Sequence, residues 1–120
     1  MNLGSEFMKK YEVVKKNMDF NDIINTGCCL KSNFYNIYYK DVNSSYPKFG
    51  IAVSKKFGNA VERNKAKRQV RCLIDQNKKV FPNSKNYIIM VRKRVKDLSY
   101  AKMEQEFVLL LQKGFLNEKN

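Results

Sequence analysis

Ser54–Ile74 reads SKKFGNAVERNKAKRQVRCLI. Two lysines and a Phe-Gly turn lead into a stretch that predicts a helix from about Ala60 to Lys78. At about 3.6 residues per turn, Asn64, Lys67, Arg68 and Arg71 recur at i, i+3, i+4 and i+7 and share one face. Ala66, Val70, Leu73, Ile74 and Asn77 form a second, mostly apolar stripe beside it. One side of this helix needs a core. The other presents a row of cations with an amide among them, and Arg63 lies at the border. Like charges one turn apart on a helix repel by a few tenths of a kcal/mol per pair. An anionic partner removes that cost; a solvated basic face is the plainer alternative.

Strand patterns flank the helix. Lys48–Ser54 alternates, with Phe49, Ile51 and Val53 toward a core and Gly50, Ala52 and Ser54 on the other side. Those last three are small, so something large approaches that face closely, either a ligand or a packed helix. Asn86–Val91, NYIIMV, is nearly all apolar, as in a central strand covered on both faces. Strand, helix and strand make a βαβ unit with a parallel pair, whose crossover is ordinarily right-handed. Arg92, Lys93 and Arg94 follow and extend a basic rim begun by Lys55 and Lys56.

Upstream, Phe34–Tyr39 alternates as a strand. Tyr35, Ile37 and Tyr39 are the core set. Phe34, Asn36 and Tyr38 mix aromatic rings with an amide on the opposite face, which suits single-stranded RNA because bases stack on rings and bond to amides. A half-buried surface tyrosine is the competing account of Tyr38. Asp41 to Lys48 reads as a polar turn around Pro47 that closes a hairpin between this strand and the next. Before it, Asn17 or Asp19 caps a short helix ending at Gly27, after an irregular lead at Tyr11–Lys16. Ile23 belongs to the core, whereas Phe20 and Ile24, one turn apart, border a cleft. Downstream, Ser99 caps a last helix that ends at Gly114, with a core stripe of Met103, Phe107, Leu110 and Leu111.

Composition narrows the function classes. The chain has 24 Lys+Arg against 11 Asp+Glu, a net charge of +13 on 120 residues. So small and basic a domain needs a polyanion or an acidic membrane surface. Membrane association is disfavoured, because the basic helix has only the modest apolar stripe its own core requires. No apolar run approaches the roughly 20 residues of a membrane span. Three of the five arginines, Arg63, Arg68 and Arg71, lie in the basic helix, where their forked donors suit phosphate. Cys28, Cys29 and Cys72 lack metal-ligand spacing and there is no histidine, so no protein metal site is expected and a reduced cytoplasmic setting is. Catalytic parts are missing as well. Asp41, Asp75 and Asp97 are scattered rather than clustered as a two-metal nuclease requires, and no cysteine has a histidine partner. Met1–Phe7 reads as an expression remnant, leaving residues 8–120 as one RNA-binding domain.

The ordered run Ser54, Lys55, Lys56, Gly58, Asn59, Ala60, Val61, Arg63, Asn64, Lys65, Lys67, Arg68, Arg71 resembles the signature of the bacterial ribonuclease P protein component. Lys65 stands where the pattern has arginine. The resemblance implies an α+β domain of αβββαβα-like order, in which a central mixed sheet of about four strands packs with helices. The implied fold is like domain 2 of ribosomal protein S5, with a left-handed βαβ crossover. It also implies a protein cofactor of a ribozyme: Mg2+ bound mainly by the RNA subunit serves the cleavage, and the protein carries no catalytic residue. Implied partners are the ribonuclease P RNA subunit and precursor tRNA, with no membrane and no small-molecule substrate. Lys55, Lys56, Arg63, Asn64, Lys65, Lys67, Arg68 and Arg71 would contact the RNA subunit. Phe20, Ile24, Phe34, Asn36, Tyr38 and Ala52 would line the groove for the 5′ leader, Ile24 replacing a family aromatic. A ribosomal protein or general RNA-binding module of the same architecture is the alternative; it explains charge and size but not the run from Lys55 to Arg71.

Overall fold

A computed structural model describes residues 17–43 and 45–116. Met1–Phe7, the start at Met8 and the lead at Tyr11–Lys16 lie outside these residues. The elements run α1 (Asn17–Thr26), β1 (Cys28–Lys31), β2 (Tyr35–Asp41), β3 (Lys48–Val53), α2 (Ala60–Gln76), β4 (Lys85–Val91) and α3 (Tyr100–Leu111). Short 3-10 turns at Lys55–Phe57, Lys78–Val80 and Lys93–Asp97 join them. The domain is therefore α+β, with a four-stranded mixed sheet and three helices.

The strand order is β1-β2-β4-β3. β2 pairs antiparallel with β1 and β4, while β3 runs parallel to β4. The expected hairpin between β2 and β3 does not form, because β4 lies between them. The reason is in β4 itself: Tyr87, Ile88, Ile89 and Val91 are all buried, and an apolar run of this kind needs the middle of a sheet. The end of β2 and the start of β3 therefore lie two strand spacings apart, about 10 Å. β1 has no counterpart among the strands read from alternation, being an edge of four residues, CCLK, without a period.

The pleat separates two layers. Tyr35, Ile37, Phe49, Tyr87, Ile89 and Val91 point into the main core, where α2 contributes Ala66, Val70, Leu73 and Ile74 and α3 contributes Met103, Phe107, Leu110 and Leu111. Phe49 stacks on Tyr87 at 5.2 Å, and Phe81 meets both rings edge-on. Tyr35 O–H donates to Met103 O at 3.1 Å. On the opposite face α1 lays Phe20, Ile23 and Ile24 over Tyr38, Ile88 and Ala52. Both apolar stripes expected for α2 and α3 thus face the core, and Ser99 caps α3 by accepting from Lys102 N.

Two local features differ from expectation. Phe34 is outside β2: Ser32 Oγ accepts from the backbone N–H groups of Phe34 and Tyr35, and the resulting turn swings Phe34 toward the main core. Gly114 does not end α3 as a cap. The α-helix stops at Leu111 and continues as a π turn over Gln112–Leu116. Gly114 is buried there, and a Cβ at this position would run into the Leu30 side chain, so the site needs glycine.

Candidate nucleic-acid interface

The basic helix starts from a closed cap. Asn59 Oδ1 accepts from Glu62 N at 2.9 Å, and Glu62 Oε1 accepts from Asn59 N at 3.0 Å. This reciprocal pair satisfies two donors that a helix start leaves orphaned. The sequence signal, Asn59 followed three residues later by Glu62, was available but not used. At the other end Asn77 Nδ2 donates to Leu73 O, so its amide closes the helix rather than joining the apolar stripe.

Between these ends Ala66, Val70, Leu73 and Ile74 are buried, while Asn64, Lys65, Arg68 and Arg71 are exposed and Arg63 and Lys67 half-exposed. Arg63 Nε leans back to Asn59 O at 3.5 Å. Among the described residues, none of Arg63, Lys65, Lys67, Arg68 and Arg71 pairs with a carboxylate; the ion pairs present join Lys40 to Asp22, Lys78 to Asp75, Lys85 to Asp41 and Lys96 to Glu62. The helix surface thus keeps its positive field. Because β3 and β4 are parallel, their C-terminal ends release the turns at 54–56 and 92–94 from the same edge of the sheet. Lys55, Lys56, Lys93 and Arg94 are exposed there, whereas Arg92 donates through Nη1 to Ser32 O at 2.8 Å.

The second surface is the sheet face under α1. The register aligns Lys31, Asn36, Met90 and Ala52 in one row and Cys29, Tyr38, Ile88 and Gly50 in the next. α1 roofs the second row. A Cβ on Gly50 would meet Phe20 Cζ at 2.6 Å, so both the small-residue face and the packed helix expected from it are present. Phe20, Ile24, Tyr38 and Ala52 gather around buried Ile23 and Ile88. Asn36 stands in the adjacent row with its Oδ1 buried and lacking a hydrogen-bond partner. Phe34 is not brought to this group. It lines a separate hollow with Lys31, Glu106, Leu109, Leu110 and Lys113. Met90, which sequence reading left as core, belongs to the floor; register with Asn36 and Ala52 reveals it, but the apolar run hides it. The floor and α2 lie on opposite sides of the sheet, so they are two separate surfaces.

Other groups are quiet. Cys28, Cys29 and Cys72 are free thiols, and burial pushes the Cys29 thiol up. Among the described residues no three histidine, cysteine or carboxylate side chains come together. No described helix is long and apolar enough to cross a membrane.

A small α+β sheet domain whose basic helix, among the described residues, has no carboxylate paired to its arginines, and whose opposite sheet face is packed under α1, defines a class of basic domains suited to a polyanion. The ribonuclease P family model matches residues 8–114. The ribonuclease P protein component of Mycoplasma mycoides subsp. mycoides SC is 47% identical over 105 residues, spanning 87% of this chain and 96% of that one. That of Mesoplasma florum is 37% identical over 100 residues, spanning 82% and 91%. Among solved structures, a Staphylococcus aureus RNase P protein mutant with defective mRNA degradation activity superposes with a TM-score of 0.80 at 31% identity, covering 93% of this chain and 96% of that chain. The Thermotoga maritima RNase P protein gives 0.77 at 27% identity, covering 85% and 96%. The chain belongs to the ribonuclease P protein family, and as a protein subunit it takes part in an endoribonuclease.

Proposed function

We propose that this subunit grips two pieces of RNA on its two surfaces. The cationic face of α2, with Arg63, Asn64, Lys65, Lys67, Arg68 and Arg71, binds phosphates and riboses of the ribonuclease P RNA subunit, with Lys55 and Lys56 assisting. The cleft of Phe20, Ile24, Asn36, Tyr38 and Ala52 holds the single-stranded 5′ leader of precursor tRNA. Phe34, turned away from the cleft, has no part in that contact. Cleavage of the leader is the work of the RNA subunit, in the cytoplasm, with Mg2+ held by RNA and supplying activation of the attacking water. This chain's share is to bind, orient and concentrate the substrate strand.

The observation that supports this reading most is the row of exposed cations on α2 that no carboxylate among the described residues neutralises. Such a surface is at its most stable against phosphate. The orphaned Asn36 Oδ1 supports the cleft, since a buried acceptor without a donor costs about 1–3 kcal/mol until one arrives.

The test adds the full chain to a bacterial ribonuclease P RNA at low magnesium and measures precursor tRNA cleavage over a salt series. Cleavage should appear with the protein and not without it. Replacing Arg68 and Arg71 together with Ala should weaken assembly and flatten the log–log salt slope by about 1.5, two phosphate contacts' worth. An unchanged slope refutes the role of α2.

A further inference from the structure

Glu62 is the one carboxylate in the first turn of α2, inside the chain's densest cationic run. Beside phosphates a carboxylate repels, so RNA binding alone favours a neutral or basic residue at this position. Its contacts supply a different reason for it. One oxygen, Oε1, accepts from Asn59 N at 3.0 Å, and the other, Oε2, lies 3.1 Å from Lys96 Nζ. Gly58 makes room for this fold-back, because a Cβ there would come within 2.4 Å of Glu62 Oε1. Lys96 Nζ also stands 5.8 Å from the centre of the Phe57 ring, and Phe57 is buried beneath it.

Glu62 therefore ties the first turn of α2, which carries Arg63, to the 93–97 turn with Lys93 and Arg94, and Lys96 in turn covers Phe57 of the 55–57 turn with Lys55 and Lys56. The Asn59 N–H, and after it Lys96, holds the Glu62 carboxyl below the usual range, so it is ionised at neutral pH and its charge is matched within the protein.

We propose that Glu62 is a positioning residue for RNA-subunit binding: through Asn59 and Lys96 it locks the first turn of the basic helix against the two flanking cationic turns. This rests on the reading of α2 as the RNA-subunit face. Without the lock the first turn frays, and binding must re-form it, so the apparent affinity falls by the fraction of molecules already in the competent form.

The experiment measures dissociation constants of the full chain for a bacterial ribonuclease P RNA across a salt series. It compares the unaltered chain with Glu62→Ala, Glu62→Gln and Arg68→Ala, at a temperature where circular dichroism shows each variant folded. Glu62→Ala should bind about fivefold more weakly, as loss of a helix cap would give, although it raises the net charge by one. Glu62→Gln keeps the reach-back to Asn59 but not the ion pair, and should lie between, about twofold weaker. A purely stabilising role would lower the melting temperature and leave the dissociation constant of the folded protein alone. Equal or tighter binding by Glu62→Ala overturns the proposal. If that variant does not fold, equal or tighter binding by Glu62→Gln does so. An unaltered constant and salt slope for Arg68→Ala instead removes the RNA-face reading beneath it, whereas weaker binding by Arg68→Ala alone removes only the positioning role.

Discussion

Replacing Gly50 with Ala tests the fit between α1 and the sheet. A Cβ at this site would lie 2.6 Å from Phe20 Cζ, 2.8 Å from Ile88 Cδ1 and 3.0 Å from Phe20 Cε2. Carbon atoms rest at about 3.5–4.0 Å, so the Phe20 ring must withdraw by roughly 1 Å. Ile88 gives little relief, being fully buried against Ile23. Overpacking of this degree costs about 1–3 kcal/mol. Loss of glycine's freedom in the unfolded chain returns about 0.4–1 kcal/mol. The balance is a destabilisation of about 1–2 kcal/mol, which lowers the melting temperature by roughly 5–10 °C in a domain of this size. Thermal unfolding followed by circular dichroism measures it. The same movement lifts the roof of the cleft, so under the proposed function the preference for precursor over mature tRNA should shrink while mature tRNA binding is unaltered. A variant that melts as high as the parent, or higher, refutes the close approach of Phe20 to β3.

Tyr38→Ala should weaken precursor tRNA binding and spare mature tRNA; equal losses for both would count against a leader cleft. Tyr35→Phe removes the buried donation to Met103 O and should cost about 1 kcal/mol in urea unfolding, with no loss showing that the bond carries nothing. Burial pushes the phenols of Tyr35 and Tyr87 well above their ordinary value. Their contribution is complete below about pH 10 and is lost as pH rises, because only the unfolded chain ionises them there. An absorbance titration of the folded protein should leave both unionised at pH 11. In acid the sign reverses: the Glu62 carboxyl is held low by Asn59 N–H and Lys96, so its contribution is present above about pH 4.3 and disappears as pH falls through the depressed value. Melting curves of the parent and of Glu62→Gln should converge toward pH 2; curves that stay parallel would contradict the pairing.

The helices were legible in the residues because each carries an apolar period. α2 shows Ala66, Val70, Leu73 and Ile74 at helical spacing, and all four are buried. α3 shows Ser99 and its stripe. Strand faces were legible wherever alternation held, as for Tyr35 and Ile37 or Phe49 and Gly50. Partners were not. Nothing in Asp41–Lys48 reveals that β4 will separate β2 from β3, since pairing is decided by which strand most needs burial and not by nearness along the chain. Phe34 was placed by extending the alternation one residue too far, past a turn that the hydroxyl of Ser32 sets. The basic face was readable because charge declares itself on an exposed helix. The sheet face under α1 was readable only in pieces, since Met90 joins it through register across β4.

Because β4 is the last strand to be synthesised yet lies between two earlier ones, the sheet has no complete precursor. Before residues 85–91 emerge, β2 has one free ladder edge and β3 has no neighbour at all. The cationic helix is thus made before the platform that orients it. Insertion of a single segment closes both joints together, so a chain cut short of Lys85 leaves β2 and β3 each with an unsatisfied edge open to whatever else is nearby.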